Sequence, residues 1–175
     1  KQAKLFNYDS SKIVYESKDN SEVNSQISNA IYSLLNAKKP LVIIGAGCKQ
    51  NKVGEELVKI FTKFSIPMAF TWGSVDLLDS ENDCNFGIIG INGQRSSNMA
   101  AYISDVIVGF GTHFSDQITG RDRRLFAPEA KKYTFDIDPK ECKRLKNFSE
   151  VINIDLREKL NLIVESINNQ SYKRK

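Results

Sequence analysis

The feature that most constrains this chain is a repeated change of period. Short apolar runs of buried-strand type are each closed by glycine or a turn, and residues spaced as one face of a helix follow. "LVII" ends in Gly45-Ala46-Gly47, and Val53, Leu57, Ile60, Phe61 and Phe64 then form a helical stripe. "IPMAFTW", beginning near Pro67, is a second strand. A helix over 96–104 leads into a third, "DVIVGFG". "KKYTFDID", stopped by Pro139, is the fourth, and "EVINID" the fifth. A helix over 21–36, which Ser21 could cap, opens the series, and one over 156–168 closes it. Residues 74–93 read as irregular and turn-rich. Strands alternating with helices imply a parallel sheet covered on both faces. Right-handed crossovers make it a doubly wound, Rossmann-like α/β domain of about six strands.

The 175 residues are enough for one domain with a real core. We divide them into a polar linker over 1–20, a domain over 21–168 and a tail over 169–175. The first residue is lysine, which suggests a segment of something longer or a trimmed product. No apolar run reaches the ~20 residues of a membrane helix, and the N-terminus lacks the apolar core of a signal peptide. The net charge of +4 is not arranged as a basic stripe interleaved with aromatics, which argues against nucleic acid. "RDRR" at 121–124 reads as a solvated loop. Cys48, Cys84 and Cys142 are far apart and without CxxC spacing, which argues against a disulfide frame or a structural metal site. A cytoplasmic location is the simplest expectation.

In such sheets ligands sit beyond the carboxyl ends of the strands, near the point where strand order reverses. "GAG" (45–47), "TWGS" (71–74), "GFGTHFSD" (109–116) and "DIDP" (136–139) should therefore line one edge. Gly45 and Gly47 either let the backbone approach a phosphate or serve only as a tight turn. The dinucleotide fingerprint fails, because Gln50 stands where the third glycine belongs and Thr71 where an acid should end the second strand. No Gly-Lys-Ser/Thr and no G-x-S-x-G occurs, so neither a P-loop nor a nucleophile elbow is present. In an extended segment His113 and Ser115 would point to opposite sides, and His113 reads as a loop residue rather than a catalytic base. Asp136 is placed either to accept from a ribose hydroxyl or to cap the segment after its strand. Asp138, before Pro139, reads as a turn former.

Taken in order, "KKPLVIIGAG", "IPMAFTWGS", "GIIGINGQRSSNMAAYISDVIVGFGTHFSDQITG" and "FAPEAKKYTFDIDPKE" resemble the central domain of thiamine-diphosphate-dependent enzymes. The similarity is strongest to the acetolactate synthase large-subunit group, over about residues 22–165. The resemblance implies the middle third of a three-domain enzyme acting on 2-oxo acids, a homodimer or homotetramer when intact. The flanking domains would supply the glutamate that activates thiamine and the Gly-Asp-Gly…Asn motif that holds its diphosphate through Mg2+. This sequence contains no Gly-Asp-Gly. No catalytic residue and no metal ligand is therefore expected here, and this segment alone should be inactive.

In acetolactate synthases the middle domain holds FAD. By position, the residues facing it would be Gly45, Ala46, Gly47, Thr71, Asn92, Gly93, Gly111, Thr112, His113, Gln117, Asp136 and Ile137. The family's "GARFDDRVTG" reads "GTHFSDQITG" here: His113 and Gln117 replace two arginines, and Ser115 replaces an acid. The family's "HG" is Asn92-Gly93. Losing two fixed charges that face a diphosphate argues against FAD. A stand-alone nucleotide- or flavin-binding module without catalysis is the alternative reading.

Overall fold

Six strands run parallel in one sheet, in the order β3-β2-β1-β4-β5-β6. They are β1 (Pro40–Ile44), β2 (Met68–Phe70), β3 (Asn85–Ile88), β4 (Val106–Phe110), β5 (Lys131–Asp136) and β6 (Glu150–Asn153). The structure is a computed structural model and describes residues 20–169. Of the expected linker over 1–20 and tail over 169–175, all but residues 20 and 169 lie outside the described residues.

Each strand of β1 and β4 is fully buried, and the alternation of β1 shows why both faces must be covered. Val42 and Ile44 enter one core cluster, while Leu41 and Ile43 enter the other. The first face carries α1 (Asn20–Asn36), α2 (Val53–Lys63) and α6 (Leu156–Asn168), whose Ile27, Ile31, Leu34, Leu57, Phe61, Ile163 and Ile167 are buried. The second face is covered by α3 (Arg95–Ile103), by α5 (Pro139–Leu145) and by residues 114–130, with Phe114, Phe126 and Leu145 in its core. A single turn, α4 (Asp116–Thr119), lies in that last segment. No described helix is long and apolar enough to cross a membrane.

Three sequence expectations need correction. The stretch 74–93 is not wholly irregular, because it contains β3. That strand was masked by its partial burial, by a positive φ at Gly87 and by a register shift against β2. Its "NFGI" therefore lacks both a buried-strand run and an alternation. Ser21 does not precede α1 but lies inside its first turn. Pro139 does not merely stop β5: it opens α5, and Asp138 caps that helix by accepting from the Lys140 amide at 2.8 Å. The helix expected from Val53 does begin there, as α2, after a 3-10 segment, Ala46–Lys52.

Candidate functional site

Strand order reverses between β1 and β4, so the crevice beyond their carboxyl ends is where a ligand is expected. The loops meet there backbone to backbone. Gly45 N–H donates to Phe110 O at 2.8 Å, Gly47 N–H to Gly111 O at 3.2 Å, and Gly111 N–H to Phe135 O at 2.9 Å. Gly111 has φ +55°, a conformation glycine adopts readily. The glycines thus let two loops touch, and their amides are engaged with carbonyls rather than offered to a phosphate.

The rest of "GFGTHF" is also packing. A side chain on Gly109 would meet the Phe114 ring. That ring folds back under β4 because Phe114 itself has φ +41°, so the segment is not extended as expected. Phe114, Phe126 and Phe148 form an aromatic cluster with ring centroids 5.3–6.1 Å apart. The turn at Phe114 leaves His113 at the rim. Its backbone carbonyl accepts from Arg144 Nη2, and Arg144 is held by Glu141 at 2.6 Å.

Two adjoining clefts share His113. A small one, of about 100 Å3, is lined by Gly47, Val53, Gly111, His113, Asp136, Ile137 and the run Ile154–Arg157. A shallow basin beside it is lined by Ser115, Asp116, Gln117, Arg123, Glu141 and Arg144. Asp136 is buried at the end of β5. Its Oδ1 accepts from the Asp138 amide at 2.9 Å, while Oδ2 has no hydrogen-bond partner and faces His113 Nε2 at 3.9 Å. Burial pushes the Asp136 carboxyl above the usual range, against the Asp138 amide and His113, which pull it down. Asp155, paired with Arg157, is held below it.

The cleft therefore brings together Gly47, Gly111, His113, Asp136 and Ile137, and the basin adds Gln117. Gly45 lies behind them in the loop contact. Thr112 is buried with an unpartnered Oγ1. Thr71 bonds Ser74 and lines neither cleft, and Ala46, Asn92 and Gly93 line neither. Sequence reasoning missed Ile154–Arg157, although they follow β6, whose carboxyl end lies on the same edge. It also missed Arg123 and Arg144, which three-dimensional folding carries to positions flanking His113.

The residues fit one end of FAD and not the other. Asp136 lines the cleft, and its unpartnered Oδ2, buried beneath the surface, is an acceptor of the kind a sugar hydroxyl satisfies. The diphosphate has no cradle here: the glycine amides are engaged, and the basin arginines are paired, Arg123 with Asp116 at 3.3 Å and Arg144 with Glu141.

A parallel sheet of this order, with its loops gathered at one crevice, defines a doubly wound, Rossmann-like domain. More particularly, residues 27–163 match the family described as thiamine pyrophosphate enzyme, central domain, and the chain belongs to that family. It is 34% identical over 116 residues to a probable acetolactate synthase large subunit of Methanococcus aeolicus, covering 66% of this chain and 19% of that protein. It is 32% identical over 115 residues to a 3D-(3,5/4)-trihydroxycyclohexane-1,2-dione hydrolase of Clostridium perfringens, covering 66% and 18%. It is 32% identical over 141 residues to the acetolactate synthase large subunit of Corynebacterium glutamicum, covering 81% and 22%. The chain thus spans about a fifth of the length of these relatives.

Proposed function

We propose that this chain is the central domain of a cytoplasmic acetolactate synthase-type enzyme, which joins or cleaves 2-oxo acids with thiamine diphosphate and Mg2+. In this reading the cofactor is held by domains outside the chain, and the domain serves as scaffold and as a subunit-contact surface of a homodimer or homotetramer. The observation that carries it is the family match over 27–163 in a sequence that lacks the diphosphate-binding Gly-Asp-Gly. Thiamine diphosphate, held by the other domains, would supply the electron-sink chemistry that joining or cleaving 2-oxo acids requires. This chain's residues would position the domains that bind it.

The test uses the complete protein carrying this segment, with pyruvate, thiamine diphosphate and Mg2+. Acetolactate is expected from the complete protein and none from the 175-residue chain alone. Failure to turn over pyruvate, together with hydrolysis of a cyclic 1,2-dione, would replace this reading with that of the other relatives. A second reading, a nucleotide-binding module without catalysis, is favoured by the partnerless Asp136 Oδ2. Acetolactate formation by the complete protein eliminates it.

A further inference from the structure

Helix α3 is turned inside out. A helix on a sheet ordinarily buries its large apolar residues and shows polar ones. In α3 the buried residues are the small Ser97 and Ala101, while Met99, Tyr102 and Ile103 are 48%, 61% and 48% exposed. Their i, i+3, i+4 spacing gathers them in one stripe. Arg95, in the first turn, is the only charged residue of the helix. By contrast, the exposed residues of α2 are Glu55, Glu56, Lys59 and Lys63, and those of α6 are likewise all polar. Polar bonds hold α3 where burial does little. Ser97 Oγ donates to Ile88 O, and the Asn98 side chain donates to Gly90 O at 2.8 Å and accepts from the Gly90 amide at 3.0 Å. The helix is thus fixed to the sheet by its small side and offers its large side outward.

The size of the stripe decides what can cover it. A side chain of this kind carries at most about 250 Å2, so three half-exposed ones offer under about 400 Å2. A stable pairing of two copies takes about 800 Å2 from each. A tethered domain needs far less, because its tether holds it near an effective concentration of about millimolar. Residues 1–19 lead into α1, which packs on the first face of the sheet, whereas α3 packs on the second. A tether of that length can extend about 65 Å, enough to pass round a six-stranded sheet about 25 Å wide.

We propose that the Met99, Tyr102 and Ile103 face of α3 is the seat of the domain that precedes this chain in the complete polypeptide, which docks there through an apolar, uncharged surface. The proposal rests on the reading above that such a domain exists.

The experiment is oxidation by dilute hydrogen peroxide, read by peptide mass spectrometry, of the 175-residue chain and of the complete protein. Met68, fully buried, is the reference beside Met99. Met99 is expected to oxidise about tenfold more slowly in the complete protein than in the chain, with Met68 slow in both. The double variant Tyr102→Lys, Ile103→Lys places cations at the end of α3, where the helix dipole favours them. It should return Met99 of the complete protein to the rate of the chain, while the melting of the chain stays unchanged. If that variant does not fold, the two unaltered proteins still decide. Tyr102 replaced by photoreactive benzoylphenylalanine should cross-link within one polypeptide, to residues preceding Lys1, and leave a monomer-sized band on a denaturing gel. Equal Met99 rates in the two proteins overturn the proposal. So does a cross-link to residues after Lys175, a dimer-sized band, or protection in the chain alone that grows with its concentration, the last two making a second copy the occupant. No readout here depends on turnover: a complete protein that forms no acetolactate can still show Met99 covered, so the two readings fail separately.

Discussion

A Cβ on Gly45 would lie 2.1 Å from the carbonyl oxygen of Gly111. The neighbour is backbone, fixed by the bond from Gly47 N–H to Gly111 O, so it cannot yield as a flexible side chain would. Gly45→Ala must therefore push apart the β1 and β4 loops at the point where strand order reverses. The expected loss is about 2–4 kcal/mol, read as a lower denaturation midpoint with an unchanged slope. Gly120→Ala is the control. Its φ is +75° and ψ 172°, a region essentially confined to glycine, and no atom lies within 4 Å of its added Cβ, so only backbone strain applies, at about 1–3 kcal/mol. A loss under about 1 kcal/mol at Gly45 would show that the loop contact is not rigid.

Arg144 holds the rim of the cleft by donating to the His113 carbonyl while Glu141 fixes its guanidinium. Arg144→Gln should release that carbonyl. Hydrogen exchange of the amides over 112–118 is expected to speed up. The global midpoint should fall by under about 1 kcal/mol, because the pair is half-exposed. Unchanged exchange there would mean that the Phe114 cluster alone holds the loop.

Much of the fold was legible in the sequence because the strands of the sheet centre are buried on both faces. "LVII" and "VIV" can be little else, and α6 carries a regular apolar stripe. The edge strand β3 was not, since a half-covered strand needs neither a continuous apolar run nor strict alternation. The site was half legible. The rule that ligands lie beyond strand carboxyl ends found Gly47, Gly111, His113, Asp136 and Ile137. It also included Thr71 and Asn92, whose loops fall on the β2–β3 side, away from the cleft between β1, β4, β5 and β6. Arg123 and Arg144 escaped because nothing in local spacing says that the 3-10 turn after α4 and helix α5 meet at one basin. The glycines were read as room for a ligand, and the structure uses them as room for each other.

Asp136 makes stability depend on pH in a definite direction. Its carboxyl is raised by burial, so between the ordinary carboxylate range and its raised value the folded chain holds a proton that the unfolded chain has released. The unfolded state then binds fewer protons, and this group's contribution to stability falls as pH rises through that window. It is restored as pH falls towards about 4. Asp136→Asn removes the titration. The variant is expected to lack this decline, and its midpoint relative to the unaltered chain should improve on going from about pH 4 to 7. Thermal melts at a series of pH values check this, and a difference independent of pH would remove Asp136 as its source.

The last prediction concerns flavin. The family resemblance places FAD along this edge, whereas the residues deny its diphosphate a partner. Two arginines of the family pattern are His113 and Gln117 here, and the arginines that the fold does bring near are paired with Asp116 and Glu141. A hydrogen bond to an ionised group contributes about 1.5–3 kcal/mol. His113 and Gln117 can each still donate one neutral bond, so about half of the total for two such bonds is lost. At about 1.4 kcal/mol per tenfold, that is one to two orders of magnitude in affinity. The purified chain is therefore expected to be colourless, without flavin absorbance. The double variant His113→Arg, Gln117→Arg should bind FAD about 10- to 100-fold more tightly, measured by quenching of flavin fluorescence on titration. Both side chains line the basin, His113 being 62% exposed, so longer replacements need not disturb the core. A yellow preparation of the unaltered chain, or a double variant no better than its parent, would show that the family arginines are not what holds the diphosphate.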